Sequence, residues 1–140
     1  MILFTSDMNQ NEKLALKTSF IYLLISLFCI LFGAVYEKFS HEVYSFYMIY
    51  AFVFPLVGGT LFFHILGFVN CKKYPRQFIR NLYHSGIATL TVGSFLQGIL
   101  DIYGTTNVLI NYYWLAGGSF LIIAILTYLL QIILSHNKFN

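Results

Sequence analysis

Charge is what this sequence has least of. Only 9% of its 140 residues are Asp, Glu, Lys or Arg, against a hydrophobic fraction of 59%. Soluble domains carry about 25% charged residues, so this balance excludes an ordinary water-soluble fold and implies a chain built for lipid. Cysteine is almost as scarce. Cys29 and Cys71 stand far apart, which excludes CxxC redox chemistry and zinc-type spacing and leaves two thiols suited to a reducing compartment. No nucleophile has a base beside it, no carboxylates are paired and no phosphate-cradling glycine loop appears, so catalysis by the usual residues has poor support. The net charge of +3 comes without the broad basic stripe that a nucleic acid needs, and no nucleic-acid partner is expected.

What is present is length in apolar runs. Residues 16–36, 46–69, 78–103 and 112–134 are each long enough to cross a bilayer, with short polar connections between them. The first run continues past the length of a signal peptide with no small-x-small cleavage pattern, and it is expected to stay as a span. The reading is therefore an all-α polytopic membrane protein, one four-helix transmembrane domain over residues 1–140. Lys13, Lys17, Lys72, Lys73, Arg76, Arg80 and Lys138 fall on one side of such a chain, and only Lys38 falls opposite. The positive-inside rule then puts both termini in the cytoplasm, with the chain in the cytoplasmic (inner) membrane. Glu37, Glu42, Asp101 and a belt of Tyr and Trp side chains mark the outer boundary.

Small and polar residues show which helix faces turn inward, because lipid accepts only apolar side chains while helix interfaces favour close approach and hydrogen bonds. In the first span Ser19, Tyr22, Ser26, Cys29, Gly33 and Tyr36 recur at three and four residues. The fourth gives Gly117, Phe120, Ala124, Thr127 and Gln131, with Leu121, Ile122, Ile125, Leu129 and Ile132 left to lipid. The third carries two adjacent stripes, Ser85–Thr89–Gly93 and His84–Thr91–Ser94–Gly98–Asp101, and is expected to be the most enclosed. In the second, Pro55 lacks an amide proton, and Gly58 and Gly59 lack side chains. A kink or local unwinding is expected there. His64 is read on the face of Val57 and Thr60.

His64 and His84 are the sharpest functional signal. They lie at similar distances from the basic loop at 70–77. At a rise of about 1.5 Å per residue, both are expected roughly 9 to 12 Å beyond it, inside a hydrocarbon layer about 30 Å thick. A titratable group at that depth needs a partner or water, so the pair is read as an intramembrane ligand or relay site. The bland reading has neutral imidazoles hydrogen-bonding a neighbour such as Thr60 or Ser85.

Three functions follow. The first is a non-enzymatic binding or accessory membrane protein, acting as a homo-oligomer or with another membrane protein. In the second, haem b is held between His64 and His84, with Arg80 as a propionate cation and Gly58, Gly59, Gly67 and Gly86 giving space. In the third, a proton or small solute passes along His84, Thr91, Ser94, Gln97 and Asp101, with the interruption at Pro55 and Gly58–Gly59 near the midplane. Lys72, Lys73 and Arg76 are read as contacts to anionic lipid headgroups.

Overall fold

The computed structural model describes residues 10–69 and 74–138. Among them every regular element is helical, and four helices are long and apolar enough to cross a membrane: α1 (Gln10–Phe39), α2 (Phe46–Val69), α3 (Gln77–Tyr103) and α4 (Ile110–Asn137). Lys72, Lys73 and Cys71, read above as headgroup contacts and a free thiol, lie outside the described residues.

α1 is straight-patterned. Ala15, Ser19, Tyr22, Ser26, Cys29 and Gly33 are its buried positions, alternating steps of four and three that form one stripe, as its small and polar residues imply. Between Ser19 and Val35 the remaining positions of this helix are apolar and exposed, and its charged residues are confined to the two ends.

α2 is interrupted. It opens with a short α-helical turn, Phe46–Ile49, passes through a π-helical stretch at Phe54–Leu61 and ends as α-helix over Phe62–Val69. Pro55 stands in the first turn of the wide stretch, where its missing amide proton removes one helical bond. Gly59 then lets α1 close in, because the ring of Tyr22 occupies the space a Cβ there would need. The face that packs inward is Pro55–Gly59–Phe63 with Leu66 and Gly67. This corrects the expectation of an inward Val57–Thr60–His64 face: Val57 and His64 are exposed, and Phe63 is 1% exposed.

α3 is the most enclosed helix, burying Ile79, Tyr83, Gly86, Ile87, Leu90, Thr91, Gly93, Ser94 and Gly98. It ends where Gly104 takes a positive φ of 74° and the amides of Gly104 and Thr105 return to the carbonyls of Asp101 and Leu100, a Schellman stop. α4 lies against α3 alone for most of its length and buries only Ile110, Gly117 and Ala124. The two helices mesh reciprocally, Leu121 over Gly86 and Leu90 over Gly117. Leu121 is thus drawn into the contact that was expected to leave it in lipid, and Phe120, expected inside, is exposed. Ser85 is also exposed.

The packing is strongest within two hairpins, α1 with α2 and α3 with α4. They join along α2 and α3 through a cluster of Tyr22, Phe63, Leu66, Tyr83, Ile87 and Ala124. Its depth places it in the half of the bundle nearer the 74–76 connection, which is where the imidazole of His84 is found.

Candidate functional site

His84 sits on α3 one turn beyond Arg80, its ring part-buried against two aromatic side chains. Phe63 stacks on it at 5.3 Å and 26°, and Tyr22 tilts against it at 5.5 Å. The Tyr22 hydroxyl meets His84 Nδ1 at 2.6 Å. This is the hydroxyl's sole hydrogen bond among the described residues, so the arrangement that uses its proton has Tyr22 donating to Nδ1. The imidazole's own proton is then assigned to Nε2, which has no protein partner among the described residues.

Tyr22 is held in turn by its neighbours. Its ring rests on Gly59 and lies parallel to Phe63, with centroids 6.0 Å apart and an interplanar angle of 11°. The π-helical stretch supplies two further anchors, since Ser19 Oγ donates to the Thr60 carbonyl at 2.9 Å and Tyr83 Oη donates to the Gly58 carbonyl at 2.6 Å. A wide turn leaves carbonyls off the regular helical ladder, and hydroxyls from α1 and α3 take them up. Thr60 Oγ1 is buried with no partner among the described residues.

Beside the His84–Tyr22 pair, α1 and α3 part to leave a trough of about 630 Å³. Ile25, Phe28 and Cys29 form one wall, Ile87, Ala88 and Val92 the other, and Pro55 of α2 lies between them. Tyr22–His84 bridges α1 and α3 toward one end, and Phe32 against Phe95, edge to face at 5.1 Å, bridges them farther along. The lining is mostly apolar; its polar members are Tyr22 and His84 at one edge and Thr18 and Thr91, whose hydroxyls are bonded to the carbonyls of Leu14 and Ile87 on their own helices.

His64 does not take part. It is exposed, its ring edge-on to Phe68 one turn nearer the end of α2, at 5.0 Å. The expected clasp of one iron by His64 and His84 is therefore corrected: Phe63, not His64, is the α2 residue against His84. Arg80 is also engaged elsewhere, its Nη1 donating to the Pro75 carbonyl at 3.0 Å and its guanidinium over the Tyr74 ring at 5.1 Å. Burial raises the Tyr74 phenol above its ordinary pKa, and the Arg80 charge acts in the opposite direction. Among the described residues no three of His, Cys, Asp and Glu gather in one place.

The remaining polar residues of α3 form a separate group at the other end. Ser94 Oγ donates to the Tyr47 carbonyl, Gln97 Nε2 to Asp101 Oδ1, and Ser45 Oγ to Asp101 Oδ2. Between the two groups Thr91 returns its hydroxyl to Ile87 of its own helix, and no hydrogen bond among the described residues links them. Arg76 contributes its backbone amide, which donates to Gln131 Oε1, while Gln131 Nε2 donates to the Tyr74 carbonyl. Tyr22, Phe63 and Gln131 carry the geometry without having been singled out as site residues. Tyr22 and Gln131 were visible as members of the inward stripes of their helices, whereas Phe63 gave no signal.

The chain matches no family model, no curated protein and no solved structure. The class of protein rests on the helices, and any closer reading on the trough and its single imidazole.

Proposed function

We propose that this chain is a non-enzymatic binding protein of the cytoplasmic membrane, termini inside, that holds a carbonyl-headed amphiphile in the trough between α1 and α3. One observation carries the reading: His84 spends Nδ1 on Tyr22, its other nitrogen, assigned as a donor, has no partner among the described residues, and the residue lines the edge of a mostly apolar trough. A donor in such surroundings is most stable when it finds an acceptor, and a carbonyl head with an apolar tail satisfies both parts of the site. His84 is seven residues into α3, so the head would sit about 10 Å past the start of that helix, within reach of a molecule entering from the inner leaflet. The concentration of Lys and Arg on the side of the termini supports this orientation.

The test is extraction and mass spectrometry of the lipids that co-purify with the full chain in mild detergent. The expected result is one apolar carbonyl compound enriched over the bulk membrane lipids. His84→Ala and Ala88→Trp, which remove the donor and fill the trough, are expected to lose it, and Ile122→Trp on the exposed face of α4 to keep it. Equal recovery from all four proteins would overturn the reading. So would recovery of one defined membrane protein crosslinked through position 88, which would assign the trough to a partner helix or a second copy.

A further inference from the structure

A second concavity, of about 710 Å³, lies away from the trough, between the first turns of α3 and the last turns of α4. Its composition is different. Arg76 and Lys138 stand on its lining with Ser135, and Ile79, Leu130 and Leu134 supply an apolar wall. Among the described residues no acidic side chain lines it. Gln131 is engaged in the fold, one bond from each end of its amide going to the backbone of Tyr74 and Arg76. That clamp fixes the 74–76 connection against α4 and so keeps Arg76 at the groove. Both Arg76 and Lys138 are exposed, and neither side chain makes an ion pair among the described residues.

Two cations beside an apolar wall, at the end of helices that cross a bilayer, match the two halves of one kind of molecule. We infer that this groove is a binding site for an anionic phospholipid, whose phosphate is taken by Arg76 and Lys138 and whose acyl chain lies along Ile79, Leu130 and Leu134. Charge complementarity selects the occupant. A planar guanidinium meets a phosphate with two parallel hydrogen bonds, an ammonium adds a point charge, and no carboxylate among the described residues lines the groove to compete for either. A zwitterionic lipid offers the same tail with an added positive group that two cations disfavour. The inference is independent of the trough, with which the groove shares no lining residue.

Native mass spectrometry of the full chain, titrated separately with phosphatidylglycerol, phosphatidylcholine and inorganic phosphate, tests it. The expected result is retention of phosphatidylglycerol well above phosphatidylcholine, with no retention of inorganic phosphate. Each cation near an anionic lipid is worth about a five-fold change in affinity, so Arg76→Gln with Lys138→Gln should weaken phosphatidylglycerol retention by about 25-fold. A control with the same loss of charge, Lys13→Gln with Lys17→Gln on α1, should stay within about two-fold of the unaltered chain, and helical content by circular dichroism should be the same in all three proteins. Equal retention of the two lipids, binding of phosphate alone, no loss in the Arg76 and Lys138 variant, or an equal loss in the control would each overturn the site.

Discussion

At the scale of the residue, the structure turns on rings seated where a glycine leaves room. Tyr22 lies over Gly59 so closely that an added methyl has to displace it. Gly59→Ala should therefore destabilise the protein by about 1–3 kcal/mol, the range for forcing extra volume into a packed core. Gly118→Ala is the matched comparison, because nothing lies within 4 Å of a Cβ there. It should stay within about 0.5 kcal/mol, as read from unfolding midpoints in detergent. Tyr22→Phe keeps the ring and removes one hydrogen bond to His84, a loss of about 1 kcal/mol. The same change also frees Nδ1 and lets the imidazole proton move. Carbonyl-ligand retention is expected to fall with Tyr22→Phe even where thermal stability is nearly kept, and undiminished retention would argue against tautomer control by Tyr22.

At the scale of the element, Gln131 shows how one side chain holds a connection. It accepts from the Arg76 amide and donates to the Tyr74 carbonyl, fastening the segment ahead of α3 to the far end of α4. Gln131→Ala should leave the Arg76 amide exchanging about five-fold faster with solvent deuterium, the loss of roughly 1 kcal/mol of protection, while amides in the middle of α3 are unchanged. The same scale shows what could be read without coordinates. The buried row of α1 follows from its small and polar residues, because each of them had an unambiguous place at steps of three and four. α2 offered two faces, one with Thr60 and His64 and one with Pro55, Gly59 and Phe63, and the rule that polar residues turn inward selects the first. The fold uses the second, since aromatic rings on glycines bury more surface than an imidazole near a helix end, which can reach outward past Phe68. Phe120 and Leu121 exchange roles for a related reason, namely that α4 mates with glycines of α3 and the branched Leu121 side chain fills the notch at Gly86.

At the scale of the whole molecule, the two hairpins set the order of importance. Within each one the helices pack closely, and between them the contacts run mainly through α2 and α3, with Tyr22 and Phe32 of α1 reaching His84 and Phe95 of α3. The orientation proposed for the chain can be checked directly. With Cys29→Ala and Cys71→Ser as background, Glu42→Cys should react with an impermeant maleimide added to intact cells, and Lys138→Cys only after the inner face is opened. The reverse pattern would invert the topology and move the proposed entry of the amphiphile to the other leaflet. Co-expressed halves divided within residues 70–73 should re-associate in the membrane and recover the stability of the intact chain to within a few kcal/mol, judged by co-purification and thermal melting. The trough has a consequence of its own. Its walls belong to different hairpins, α1 to the first and α3 to the second, so it comes into being only once the pieces have docked. The amphiphile proposed for it would then also be mortar, and a cell short of that molecule would be expected to hold this protein as two loosely mated halves, open to proteolysis along the seam.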